Sequence, residues 1–141
     1  MISLDSALKL KKAGLTWVPA MQDFFAIPER GLDERLFVIS DILVTVEQLS
    51  GKQVVSFQGA SEWALDYLLV TEAVWMPRED QLRKALEAIL FTEPGWRLEL
   101  GIDESGCHCM LAWGEKDLLF EAEDASEAYG AALLSLLKMQ I

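Results

Sequence analysis

Residues 96–128, WRLELGIDESGCHCMLAWGEKDLLFEAEDASEA, decide the fold class. Trp96, Leu98 and Leu100 alternate with Arg97 and Glu99, the period of two that a half-exposed strand requires because successive side chains leave opposite faces. Gly101-Ile102-Asp103-Glu104-Ser105-Gly106 reads as a turn and Cys107 to Trp113 as a second strand. Gly114-Glu115-Lys116-Asp117 is a tight turn and Leu118 to Ala122 a third strand, so residues 96–122 predict an antiparallel meander. At Asp124-Ala125-Ser126-Glu127 the period changes. Asp as cap with Glu three residues on is a capping box, and Ala128, Ala131, Ala132, Leu133, Leu134, Leu136 and Leu137 behind it predict a helix near 125–138.

Upstream, Pro77 suits the first position of a helix, where its missing N–H costs nothing; Glu79 and Asp80 follow in the first turn. Leu82, Ala85, Leu86, Ile89 and Leu90 make its apolar stripe, which predicts a helix near 78–90 stopped by Pro94-Gly95. Ile42 to Glu47 and Gln53 to Phe57 flank Leu49-Ser50-Gly51-Lys52, a glycine-bearing turn between β-prone runs, so 42–57 predicts a hairpin. Ala60, Trp63, Ala64, Tyr67 and Leu68 recur at three and four residues and predict a helix near 60–70. Ser3, Asp5, Lys9, Lys11, Lys12 and Gly14 are placed as a cap, the macrodipole and a left-handed stop prefer, giving a helix near 3–13. Leu15–Val18, Phe24–Ile27 and Leu36–Ile39 are short β-prone runs, and Glu29 to Glu34 is a polar loop.

The class these elements define is α+β: an antiparallel sheet containing the hairpin and the meander, covered by the four helices. At 141 residues the chain reads as a single domain, 1–141; a helix–strands–helix pattern recurs over 1–76 and 77–141 and leaves open a division into two lobes.

The run from Trp96 into the Asp124-Ala125-Ser126-Glu127-Ala128 helix, with Ala131, Ala132 and Leu133, resembles the strand–strand–strand–helix tail of phage-type αβα-sandwich domains and of HicB-type antitoxins. The whole chain also resembles small bacterial proteins. The shared feature is an acidic cap followed by Glu-Ala and a small-residue helix face, and it carries no functional residue across.

Composition excludes several function classes. With 52% apolar and 25% charged residues the chain can build a core rather than stay disordered. Twelve Lys and Arg against 23 Asp and Glu give a charge of −11 with no basic cluster, so no nucleic-acid partner is expected. No apolar run reaches the roughly 18–20 residues of a membrane span. The start, MISLDSALKLKK, carries its charges within and after the apolar positions, so a cytoplasmic protein is expected. Cys107 and Cys109 are too few for a disulfide scaffold and too close along one strand to bridge each other, which again suits a reducing compartment.

Cys107-His108-Cys109 has the residue types zinc prefers, but the C-x-C spacing lacks the usual knuckle, and alternation sends His108 to the face opposite both thiols. No metal and no cofactor is expected; phosphate-binding glycine motifs are also absent from the sequence. The acidic pairs Asp33-Glu34 and Asp103-Glu104 lie in loops, and Glu79-Asp80 is explained by a helix start. Five tryptophans are the unusual feature. Trp63 and Trp96 fit buried stripes, whereas Trp17, beside Val18-Pro19, and Trp75, in Val74-Trp75-Met76-Pro77, lie in connectors where an aromatic can anchor a partner. Trp17, Trp75, Asp103 and Glu104 are therefore the candidate binding residues; no catalytic residue is assigned.

These features favour a non-catalytic protein-interaction module, an adaptor or an antitoxin- or immunity-like protein, with a protein partner or a second copy of itself as ligand. The alternative is a small enzyme or ligand-binding protein whose pocket, at least about 300 Å³, is lined by tryptophans and converging carboxylates.

Overall fold

The computed structural model describes residues 1–30, 32–40, 44–57 and 67–139. In chain order they form α1 (Leu4–Lys12), β1 (Phe24–Ile27), β2 (Leu32–Val38), β3 (Val44–Leu49), β4 (Lys52–Phe57), β5 (Tyr67–Leu69), β6 (Val74–Met76), α2 (Glu79–Leu90), β7 (Arg97–Asp103), β8 (Gly106–Trp113), β9 (Lys116–Ala122) and α3 (Ala125–Met139). Every strand pairing is antiparallel, so the fold is α+β. The nine described strands make three sheets, ordered β2-β1-β6, β3-β4-β5 and β7-β8-β9, so the hairpin and the meander belong to different sheets rather than to one. The chain divides into two compact units, Met1–Leu15 with Pro77–Ile141, and Thr16–Met76. One boundary between the units falls between Met76 and Pro77, and α1 belongs with the C-terminal unit because it packs on α3.

In the unit that holds the meander, α3 packs against α1, α2, β8 and β9. Each helix is set by its ends. Ser3 caps α1 by accepting from Ser6 N at 3.1 Å, and Gly14 follows at φ +106°. Asp124 Oδ1 accepts from Glu127 N at 2.9 Å, as the capping motif requires. Glu127 does not close the reciprocal half of the box: its carboxylate accepts from Ser3 N at 2.5 Å and from Ser6 Oγ at 2.7 Å, tying the starts of α3 and α1 together. Pro77 lies one residue before the cap of α2, which is Arg78, whose backbone N–H donates to Gln81 Oε1 at 2.9 Å. The core is Leu10, Leu82, Leu86, Leu90, Cys109, Leu111, Leu133 and Leu136, all fully buried. On β8 Cys107, Cys109, Leu111 and Trp113 are buried while the residues between them are half-buried, the alternation of a central strand with one covered face.

In the unit 16–76, Phe25, Ile27, Phe37, Ile39, Val55 and Ala73 form one core cluster, with Trp17, Val46 and Val70 against it. Phe25 stacks on Phe37 with ring centroids 5.4 Å apart. The hairpin pairs Val44–Leu49 with Lys52–Phe57 around Ser50 and Gly51, both at positive φ. Three expectations change. Tyr67–Leu69 is a strand paired with Val54–Ser56 rather than the end of a helix over 60–70, and residues 60–66 lie outside the described residues. Leu15–Val18 forms no strand, and β2 starts at Leu32 inside the expected loop. Short segments such as these take their state from the strand beside them, which local periodicity does not encode.

Candidate functional site

The two turns of the meander fix its side-chain register. Asp103 pairs with Gly106 across Glu104 and Ser105, and Trp113 pairs with Lys116 across Gly114 and Glu115. Gly106 has φ +124°, and a Cβ there would meet the Ala122 carbonyl oxygen at 2.7 Å, so this position requires glycine. Counting from the turns places Gly101, His108 and Glu121 in one row, and Glu99, Met110 and Leu119 in the next. Both rows lie on the face opposite Cys107 and Cys109, and therefore opposite the helix-packed side of the sheet.

His108 is the centre of this face. Its Nε2 lies 3.1 Å from Asp103 Oδ2, and its Nδ1 lies 3.3 Å from Glu121 Oε1. A carboxylate at each ring nitrogen favours the imidazolium. The hydrogen bond to Asp103 raises the His108 pKa above the ordinary histidine value, more than its own desolvation lowers it, and the charges of Asp103 and Glu121 add to the rise. Asp103 in turn accepts from Ser105 Oγ at 2.6 Å and from Ser105 N at 2.8 Å. These bonds, then the one from His108, hold its carboxyl down at about 2. The cluster is wet: the His108 side chain is 25% exposed and Asp103 and Glu121 more so.

This chemistry suits charge display better than proton transfer. Ser105 Oγ lies 3.2 Å from His108 Nε2, but Asp103 faces that same nitrogen and also holds the serine hydroxyl, so no free imidazole lone pair is aimed at the serine. The two carboxylates sit at opposite ring nitrogens, an arrangement that cannot converge on one ion. Among the described residues no group of three or more His, Cys, Asp or Glu side chains could hold a metal. Cys107 and Cys109 are buried free thiols, and burial pushes the Cys109 thiol up to about 11, far from a reactive thiolate.

Beside His108 the face carries a hollow of about 390 Å³ lined by Glu99, Leu100, Gly101, His108, Met110 and Leu119. It opens over Gly101, where a Cβ would meet nothing within 4 Å. Leu119 at its wall is 56% exposed. No tryptophan lines this hollow.

The candidate residues are thus dispersed. Asp103 belongs to the His108 cluster. Glu104 is exposed at the tip of the same turn and takes no part in the cluster's hydrogen bonds. Trp17 does lie in a connector, yet its ring packs on Phe25 at 5.7 Å and its indole N–H donates to Asp23 Oδ2 at 2.9 Å. Trp75 is the central residue of β6, opposite Phe25, and its Nε1 is buried without a hydrogen-bond partner among the described residues. Asp23 is a further residue that sequence reading missed: it is 2% exposed, and its Oδ2 also accepts from Ala20 N at 3.0 Å. Glu99, Met110, Leu119 and Glu121 were missed as well, although counting outward from the two glycine turns would have aligned them with His108.

No protein-family model matches the chain, and neither a curated protein nor a solved structure gives a significant match. Among the described residues no helix is long and apolar enough to cross a membrane.

Proposed function

We propose that this chain is a non-catalytic interaction module, an acidic adaptor or an antitoxin- or immunity-like protein, that holds a protein partner on the open face of its meander. One observation carries the reading: Met110 and Leu119 are presented on that face within a rim of Glu99, Asp103, Asp117 and Glu121. An apolar centre inside a charged rim is how protein interfaces are built, and such a centre is otherwise costly to leave in water. The complementary partner surface offers an apolar side chain to the hollow and lysines or arginines to the rim. Arg97 and His108 partly neutralise the rim, which leaves room for a few cations rather than a polycation. A cytoplasmic setting suits the two unpaired thiols.

A small-molecule site has the size of the hollow in its favour, since ligand pockets start at about 300 Å³. The lining supplies a single carboxylate and no aromatic wall, which favours the protein partner.

The test is capture from host lysate on immobilised protein, comparing the native chain with Leu119→Lys and, as a control in the other unit, Val18→Lys. The native chain and the control should retain a stoichiometric partner, released as salt is raised from about 0.05 to about 0.5 M, while Leu119→Lys should lose at least about tenfold of it. Capture indifferent to Leu119→Lys, or no partner at all, would defeat the proposal.

A further inference from the structure

β7 is an edge strand with no partner on its outer side among the described residues; Arg97, Glu99, Gly101, Ile102 and Asp103 are exposed along it, and Ile102 is 73% exposed. An open edge is a template for another strand unless something blocks it. Proline, inward-pointing charge and a bulge are the usual blocks, and β7 pairs with β8 without a break from Arg97 to Asp103 and contains no proline.

The order of side chains along this edge is self-complementary. We propose that β7 pairs antiparallel with β7 of a second copy of this chain about a two-fold axis at Leu100, joining two meanders into one six-stranded sheet. In that register Arg97 of each copy faces Asp103 of the other, Leu98 faces Ile102, Leu100 faces Leu100, and Glu99 faces Gly101, which has no side chain to oppose it. Each pairing except the central Leu100 pair occurs twice by symmetry, as an isologous interface requires. Leu98, Leu100 and Ile102 share the helix-packed side of the sheet with Cys107, Cys109 and Leu111, so the apolar row would continue across the axis and cover Ile102.

Charge singles out both the register and the edge. Sliding the pair by two residues sets Glu99 against Glu99 in one direction and Glu99 against Asp103 in the other; sliding by one sets Arg97 against Ile102 and Glu99 against Leu100 in one direction, and Leu98 against Asp103 and Glu99 against Ile102 in the other. The opposite edge fails the same test, because full-length self-pairing of β9 about Leu119 would place Asp117 against Glu121. Seven paired residues make a short interface, so the dimer should exchange with monomer in the micromolar range rather than be obligate.

Arg97, Glu99 and Asp103 also border the partner-binding face, but the inference rests on the backbone edge and its register and does not depend on that reading. The experiment is sedimentation velocity over a concentration series on the full chain with three variants, and oxidative cross-linking of two cysteine variants. A doubling of mass with concentration is expected for the native chain. Ile102→Asp, at an exposed position, should abolish it. Arg97→Asp should weaken dimerisation by about tenfold by replacing attraction with repulsion at two symmetric pairs, and the double variant Arg97→Asp with Asp103→Arg should recover to within about threefold of native. Register is read by mild oxidation of Leu100→Cys, which should give a cross-linked dimer, whereas Gly101→Cys should not, since residue 101 faces residue 99 of the other copy. A monomer at all concentrations, a dimer untouched by Ile102→Asp, a double variant no better than Arg97→Asp, or cross-linking at 101 in place of 100 would each overturn the proposal.

Discussion

The two compact units spend their polar groups in opposite ways. In the unit 16–76 the carboxylate of Asp23 is buried and consumed, holding the Trp17 indole and the Ala20 amide in place beside Phe25. In the unit with the meander, Asp103, His108 and Glu121 bond to one another at the surface, where a partner can still reach them. A buried acid with its bonds satisfied is a structural part, and removing it orphans its donors. An exposed ionic cluster contributes little to folding and remains available for recognition.

The two units differ most sharply at Asp23. Asp23→Ala deprives two donors of this acceptor, and urea unfolding should show a loss of about 3 kcal/mol, with the midpoint falling and the slope unchanged. In the meander the corresponding weak point is geometric. Gly106→Ala meets both the positive φ and the 2.7 Å approach to the Ala122 carbonyl, and should cost about 2 kcal/mol by the same assay. The two tryptophans beside Phe25 sharpen the contrast within one unit. Trp17→Phe removes a bond to a buried carboxylate and should cost about 2 kcal/mol, while Trp75→Phe removes a buried donor that has no partner among the described residues and should change stability by less than about 1 kcal/mol. Equal losses at the two positions would show that the indole N–H groups do not distinguish them.

The smallest effect concerns pH. Because the folded protein raises the His108 pKa, the cluster's contribution is complete below the ordinary histidine value of about 6.5 and is lost as pH rises through the raised folded value. Asp103, held down at about 2, contributes above the ordinary aspartate value of about 3.9 and loses that contribution as pH falls toward 2. Between about 3.9 and about 6.5 both Asp103 and His108 carry their charges. An NMR titration should find His108 protonated above the usual range, and Asp103→Asn should bring it down further than Glu121→Gln does, since the bond to Asp103 is the first cause of the rise.

How much of this was legible depends on the range of the physics involved. The ends of α1 and α3 could be read because Ser3, Gly14 and Asp124 act within one turn of the chain. The meander was readable for the same reason, from two glycine turns and strict alternation, although Gly101 hid the last three residues of β7 by resembling a turn start. β5 and β6, three residues each, exist because β4 and β1 lie beside them, and nothing within Tyr67–Leu69 announces that pairing. Trp75 was assigned to a connector on that account. His108 could be placed on the face away from the thiols by period two alone, but its acidic neighbours arrive from β7 and β9 through the register and are invisible to a reading of each strand by itself.

The proposed function requires the open face of the meander to be the surface that meets a partner. Methyl NMR on the labelled chain, titrated with the protein recovered by lysate capture, tests this most directly. The Met110 ε-methyl and Leu119 δ-methyl signals should shift or broaden while those of Ile27, Ile39 and Val55 in the other unit stay fixed. Shifts confined to the 16–76 unit, with Met110 and Leu119 unmoved, would contradict it.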